Sequence, residues 1–346
     1  MVSMDIFKAD PFQMTQLTAA FERIDYRPQL LGSLNLFRQE PSRSTTVFIE
    51  RRNGALNLVP TTPIGAPPSE LDNDKRDARP FSTVRIAKGA TIYAAELQNI
   101  RQFGSETEMA QVQGEVLRRG SRILEDIEMT WEHMRLGAIK GVVVDADGSS
   151  VINNWFTEFG IAAPAPIDFD LDNANPVPGA LRVKCHELIR SMARSSQGAM
   201  GPSATVHALC GDEFYDKFIT HPDVEKTYLN YAAAADLREG KAFDAFTFGG
   251  ITWHNYRGTD DVTTVSVASD TAHFFPVGAT DMFQVAFAPS EFMPYTNTLG
   301  RPFYSLTIPD RDRQAWTRVE TYSYPLFICS RPEVLRTGVI EPDTAT

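Results

Sequence analysis

The chain has 346 residues, and its 33 Lys and Arg against 44 Asp and Glu give a formal net charge of -11 at pH 7. Its 42% hydrophobic content excludes a disordered chain, and its length suits one large or two modest domains. The acidic balance argues against a protein that grips nucleic acid through its phosphates.

Cysteine usage and the start of the chain predict where the protein folds. The three cysteines, Cys185, Cys210 and Cys329, are scattered and form no disulfide framework. The first residues lack the basic and apolar regions of a signal peptide, and no window approaches the ~18 apolar residues of a membrane span. We therefore expect folding in the cytoplasm and no membrane partner.

Residues 1–43 are predicted to be a loosely structured arm. Asp10-Pro11, Arg27-Pro28 and Glu40-Pro41 interrupt it, since the residue before proline disfavours helix. One short helix is expected at 15–24. The arm carries much apolar surface for a terminal extension, so it packs either on its own domain or on a neighbouring subunit.

Residues 44–97 are predicted to be an extended, two-armed excursion. Strand-forming residues occupy 45–49 and 56–59, with the hairpin dipeptide Asn53-Gly54 between them. The Pro-, Gly- and charge-rich segment 60–80 reads as an exposed loop. Strand character returns at 81–86 and 90–93. Such a long loop is normally functional or disordered.

The strongest local signal is a helix at 105–140. Ser105 and Glu108 form a capping box, apolar residues recur every three to four positions, and Gly141 is a candidate C-cap. A helix of that length would extend about 54 Å. We expect it either to kink near 114–120 or to form the spine of an elongated molecule.

The rest of the chain predicts a mixed α and β region. Asp147-Gly148 marks a hairpin turn, Asp168, Asp170 and Asp172 alternate along a half-exposed strand at 167–172, and 175–179 is a boundary. Helices are expected at 180–195, 212–218 and 222–235, and strands at 142–144, 151–152, 205–209, 245–253, 261–267 and, as one long strand, 317–329.

The chemistry-bearing residues form no catalytic, cofactor or metal motif. His186-Glu187 opens like a zinc-protease helix, but position 190 is Arg, so the second ligand is missing. A metal-dependent hydrolase would need His186, Glu187, His207 and Asp212 together. The three alternating aspartates could hold a cation, although a plain polar face is favoured. We predict no catalytic residue, cofactor or metal.

The order of the segments resembles the major capsid proteins of tailed phages with the HK97-type fold. More specifically, the chain looks like the lambda-type major capsid proteins, the phage major capsid protein E family. The resemblance lies in DPFQMTQLTAAFERIDYRPQLLGSLNLF, TTVFIERRNGALNLVPTTPIGAPP, RPFSTVRIAKGATIYAAELQNIR, GAIKGVVVDADGSSVINNWFTEFG and the ending SYPLFICSRP with EVLRTGVI. It covers nearly the whole chain, and it depends on order and spacing rather than on one motif.

The resemblance implies an α+β, HK97-like fold with a defined division. Residues 1–43 would be the N-arm, 44–97 the E-loop, 98–174 the peripheral domain with spine helix 105–140, 175–300 the axial domain, and 301–346 a return strand and tail. Lys88 in the E-loop is expected to be an ordinary surface residue.

The resemblance also implies the function. Copies would form hexamers and pentamers of an icosahedral procapsid in the host bacterial cytoplasm. The shell would expand and enclose double-stranded DNA without binding it specifically. The implied partners are further copies of the chain, a scaffold, a portal and a decoration protein. The alternatives are an encapsulin-like cellular compartment and the metal-dependent hydrolase.

Overall fold

The computed structural model describes residues 30–52, 76–97, 108–173, 175–229, 245–259 and 265–340. Several predicted elements lie outside these residues: the helix at 15–24, the Asn53-Gly54 turn, the strand at 56–59, the Ser105 cap and most of the strand at 261–267. The chain divides into two compact units. The first unit comprises Ser82–Arg135, Gln284–Ile328 and the described residues up to Val47; the second comprises the remaining described residues.

The described chain contains both α-helices and β-strands. The helices are α1 (Leu30–Ser33), α2 (Ala94–Leu97), α3 (Glu108–Lys140), α4 (Trp155–Phe159), α5 (Ala180–Ser195), α6 (Asp212–Thr220) and α7 (Pro222–Leu229). The strands are β1 (Arg38–Pro41), β2 (Thr46–Arg52), β3 (Arg76–Ser82), β4 (Ile86–Tyr93), β5 (Val142–Val144), β6 (Val151–Asn154), β7 (Ile167–Asp168), β8 (Thr205–Cys210), β9 (Phe246–Phe248), β10 (Ile251–Asn255), β11 (Thr271–Val277), β12 (Phe283–Phe287), β13 (Tyr304–Pro309), β14 (Trp316–Ser323), β15 (Pro325–Cys329) and β16 (Arg336–Val339).

The predicted long helix is present as α3, whose 33 residues run without interruption through Gly114 and Gly120. At 1.5 Å per residue it is about 50 Å long. Gly141 ends it in a left-handed conformation with φ 83°, which is the usual way for a helix to stop at glycine. One apolar stripe of α3 is buried and carries Val116, Ile123, Ile127, Trp131 and Met134. No described helix is long and apolar enough to cross a membrane.

The first unit contains two three-stranded sheets. One is antiparallel, with β14 between β13 and β4, and pairs Tyr304 with Tyr322 and Trp316 with Tyr93. The other has β12 between β1 and β15, and β1 runs parallel to β12. A cluster of buried side chains fills part of the core of the first unit and includes Tyr295, Tyr304, Tyr322 and Tyr324.

The second unit is built on a six-stranded sheet in the order β7-β16-β11-β8-β10-β9. Strand β8 pairs in parallel with β10 and antiparallel with β11. Helix α6 covers the sheet through Phe214 and Phe218, and the rings of Phe218 and Trp253 stack with centroids 4.0 Å apart. Two two-stranded ribbons, β2 with β3 and β5 with β6, complete the strand pairing.

Several boundaries differ from the sequence predictions. The strand expected at 317–329 is two strands, β14 and β15, which belong to different sheets. The strand expected at 245–253 is the hairpin of β9 and β10, because Gly249 and Gly250 both turn with positive φ (61° and 80°). Residues 76–80 were expected in a loop, but they form the first part of β3. Because β3 is an edge strand, it tolerates Pro80. The overall α+β class is confirmed.

Candidate functional site

The residues of the hydrolase hypothesis do not form a metal site. His186 and Glu187 are exposed on α5, and Asp212 is exposed at the first turn of α6. His207 is engaged elsewhere, with its Nδ1 2.9 Å from Nε2 of His254. Within the described part of the chain, no group of three or more His, Cys, Asp and Glu side chains could hold a metal ion.

The three alternating aspartates were expected on one face of a strand, and this expectation is wrong. Strand β7 ends at Asp168, whose Oδ1 accepts a hydrogen bond from the backbone N–H of Asp170 at 2.7 Å. Asp170 then turns with φ 56°. An aspartate that bonds the backbone two residues on makes a turn, so the alternation ends before a common carboxylate face can form.

The end of the N-terminal arm is fixed to the long helix by a buried carboxylate. Glu132 of α3 has no solvent exposure, and its Oε1 accepts the backbone N–H of Leu31 at 2.8 Å. Its Oε2 lies 3.1 Å from Nη1 of Arg135. Burial raises the pKa of Glu132, although these hydrogen bonds act in the opposite direction. This contact between residues 101 positions apart was not predicted.

The arm then adds a strand to the first unit. Strand β1 pairs with β12 from Arg38 opposite Gln284 to Pro41 opposite Phe287. Ser42 continues the connection, because its N–H donates to Phe287 O and its carbonyl accepts from Gly300 N, both at 2.8 Å. The described part of the arm therefore packs on its own chain. This was one of the two possibilities that its apolar composition left open, the other being a neighbouring subunit.

Ion pairs tie the returning part of the excursion to α3. Lys88 of β4 is exposed, as expected of a surface residue, and forms a salt bridge of 2.6 Å with Asp126. Arg119 bonds Glu96 and the carbonyl of Thr91. These contacts fix β4 and α2 along the helix, where the excursion returns to the first unit.

The β2–β3 ribbon presents one large aromatic side chain to solvent. Phe48 is 69% exposed, whereas Phe81 is buried against Trp155, with ring centroids 5.3 Å apart. The guanidinium of Arg79 donates to the carbonyl of Glu158. A two-stranded ribbon is marginally stable alone, and Phe48 gives this one an apolar surface that the described residues leave exposed.

The chain is similar to known proteins over nearly its whole length. A sequence profile described as phage major capsid protein E matches residues 13–340. A major capsid protein of Salmonella phage Felix O1 is 25% identical, with 94% of this chain and 95% of the relative covered. A major capsid protein of Pseudomonas phage KPP10 is also 25% identical, with 86% and 89% covered.

Solved structures agree on the fold. A prophage protein of Escherichia coli CFT073, described as a capsid protein, superposes with a TM-score of 0.59 at 15% identity, covering 95% of this chain and 99% of that chain. A capsid protein of cyanophage P-SCSP1u gives a TM-score of 0.52 at 8% identity, with 91% and 90% covered. The HK97-like architecture expected from the order of the segments is thereby confirmed.

Proposed function

Because the chain belongs to the phage major capsid protein E family, we propose how its segments build the shell. It is a major capsid protein, and its copies form an icosahedral shell in the virion. Residues 1–43 serve as the N-arm, 44–97 as the E-loop, 98–174 with 301–346 as the peripheral domain, and 175–300 as the axial domain. Copies associate as hexamers and pentamers.

The observation that carries this division is the exposed apolar residue on the excursion. Phe48 lies on a two-stranded ribbon that has little core of its own. Burying an aromatic side chain contributes about 1.5–3 kcal/mol, and an extended segment gains order when a neighbour supplies that burial. A second subunit, which a shell places alongside, is the partner that this ribbon requires.

The further partners follow from the same role. A scaffold sets the size of the procapsid in the host cytoplasm, a portal occupies one vertex, and a decoration protein reinforces the outside. The shell expands as double-stranded DNA enters. The net charge of -11 per copy lets the wall enclose DNA without gripping it, because like charges repel within about a Debye length. The protein performs no catalysis and needs no cofactor.

Electron microscopy of the purified protein, alone and with its scaffold, tests this function. We expect closed shells of uniform diameter. A chain lacking residues 60–75, a deletion that stops before β3 begins at Arg76, should keep the far-ultraviolet spectrum and thermal transition of the full chain but should form no closed shells. Normal shells from the shortened chain would contradict the role of the excursion, and monomers under all conditions would contradict the function itself.

A further inference from the structure

A cavity of about 460 Å³ lies in the second unit where α3 ends. Its wall combines apolar side chains with a cation and neutral polar groups, among them Lys140, Asn154, Phe156, Thr157, Leu335 and Thr337. Pockets of roughly 300–1,000 Å³ accommodate small ligands or a few side chains. This cavity is therefore larger than one carboxylate requires and suits a short peptide segment that carries one.

Lys140 brings a positive charge into this wall. The side chain is half-buried, and its Nζ donates to the carbonyl of Ser266 at 3.0 Å. Among the residues that the structure describes, no carboxylate forms a salt bridge with it. Burial accordingly lowers the pKa of Lys140. A desolvated ammonium that lacks a counter-ion is unfavourable, so an anion entering the cavity would gain from it.

A histidine lies beside the site and is neutral near pH 7. Nδ1 of His273 lies 3.4 Å from Oγ1 of Thr337. Burial, together with the charge of Lys140, lowers the pKa of His273 to about 3. The Asn154 side-chain oxygen accepts from Phe156 N and Thr157 N, and its amide N–H groups remain as donors. The site thus offers one ammonium and several neutral hydrogen-bond donors, a set that matches a carboxylate.

We propose that this cavity receives a carboxylate side chain from a second copy of the chain, with Lys140 as its counter-ion. This inference rests on the proposed shell, which brings copies into contact. A copy of this chain is complementary in charge to the site, because the chain carries 44 acidic against 33 basic residues, and the shell brings such copies into contact. The apolar lining, which includes Phe156 and Leu335, accommodates the rest of the entering segment.

Cross-linking in isotopically mixed shells tests the identity of the occupant. Shells are assembled from equal amounts of ¹⁴N- and ¹⁵N-labelled chains and treated with a carbodiimide, which joins an amine to a carboxylate in contact with it. Mass spectrometry should find Lys140 joined to an Asp or Glu, with mixed-isotope pairs present. Pairs of one isotope only would place the carboxylate in the same subunit and overturn the proposal. Intact shells with no cross-link at Lys140 would overturn it as well.

Amine reactivity gives a second, independent readout. Lys217, which is half-exposed and pairs with Glu213, serves as the internal reference. Near pH 8, Lys140 should be acylated roughly tenfold less, relative to Lys217, in shells than in free subunits, because a nearby carboxylate raises the amine pKa by about one unit and blocks access. Equal reactivity in both states would contradict the proposal.

Substitution separates this role from a role in folding. Lys140→Met should leave the free subunit as stable as the parent or more stable, because it removes a desolvated charge, yet its shells should dissociate at a lower denaturant concentration. Lys217→Met is the matched control and should change neither. Free subunits that lose stability while shells are unaffected would overturn the proposal. Failure of the parent chain to form shells would instead contradict the proposed function, so the two failures are distinguishable.

Discussion

Two buried carboxylates of α3, Glu132 and Glu128, affect the stability of the protein in different ways. Glu132 is fully buried and satisfies both the backbone of the arm and Arg135. Glu128, one turn earlier, is 9% exposed, and burial raises its pKa to about 7. The two acids lie on the same helix but differ in partners, so substitutions at them should have opposite effects on stability.

Removing the Glu132 carboxylate should release the arm. Glu132→Ala leaves the Leu31 N–H and the Arg135 guanidinium without their acceptor, and a buried partner left unpaired costs about 3 kcal/mol. Urea unfolding of the free subunit should show this loss. Arg122→Ala, at an exposed position of the same helix, should change stability by less than about 0.5 kcal/mol. Equal effects of both substitutions would contradict the anchoring role.

Neutralising Glu128 should stabilise the protein, and only at higher pH. Its folded-state pKa of about 7 exceeds the ordinary value of 4.5. The unfolded chain therefore releases this proton first, and stability falls as pH rises from 4.5 to 7. Glu128→Gln should add about 2 kcal/mol at pH 8 and little at pH 4.5. A gain of the same size at both pH values would show that packing, not ionisation, is responsible.

The histidine pair in the second unit should give the opposite pH dependence. His254 is 6% exposed, and burial, with His207 alongside, lowers its pKa to about 4. The unfolded chain takes up the proton first, so stability is retained above pH 6.5 and lost as pH falls toward 4, by about 3 kcal/mol in full. Replacing His254 with Gln should flatten this decline in denaturant titrations across that range. An unchanged slope would contradict the assignment.

At the scale of elements, the sequence predicted those whose signal is local. Helix α3 and the β5–β6 hairpin carry periodicity, a turn dipeptide and a glycine cap within their own residues. Strand β11 was missed because Phe274 and Phe275 are both buried and Pro276 lies inside the strand, so its residues do not alternate. The run at 317–329 was not divided because only its pairing partners separate β14 from β15.

The contacts of the candidate site depend on residues far apart in the chain. The bond from Leu31 to Glu132 joins residues 101 positions apart, and the cavity beside Lys140 brings the end of α3 together with Leu335 and Thr337. A local sequence pattern cannot predict contacts between residues so far apart in the chain. The sequence supplied the order of the segments, and the three-dimensional structure supplied the contacts.

The end of α3 should depend on its glycine. Gly141 has φ 83°, and a Cβ there would lie 2.2 Å from Cε2 of Phe156. Gly141→Ala therefore combines left-handed strain with a clash against the ring, and we expect a loss of about 3 kcal/mol in thermal or urea unfolding. Gly148→Ala is the control, since its φ is 70° but the space around it is open; strain alone should cost about 1 kcal/mol. Similar losses at both glycines would contradict the role of Phe156.

At the scale of the whole molecule, net charge opposes the association that the apolar contacts favour. Each copy carries a formal charge of -11, so bringing many copies into one wall accumulates negative charge. Apolar contacts between copies, including the one proposed at Phe48, must overcome this repulsion. Local pairings of opposite charge, including the one proposed at Lys140, reduce it where surfaces meet. Both effects determine how assembly responds to salt.

Shell assembly should therefore improve as ionic strength rises through the physiological range. The Debye length is ~10 Å at 0.1 M salt and ~3 Å at 1 M, so salt screens the repulsion between net charges before it affects buried or short-range pairs. Light scattering of purified subunits should show faster assembly at 0.3 M than at 0.05 M sodium chloride. A sugar at equal osmolality is the control and should not reproduce the effect. Slower assembly in salt would mean that attractive ion pairs between copies outweigh their net repulsion.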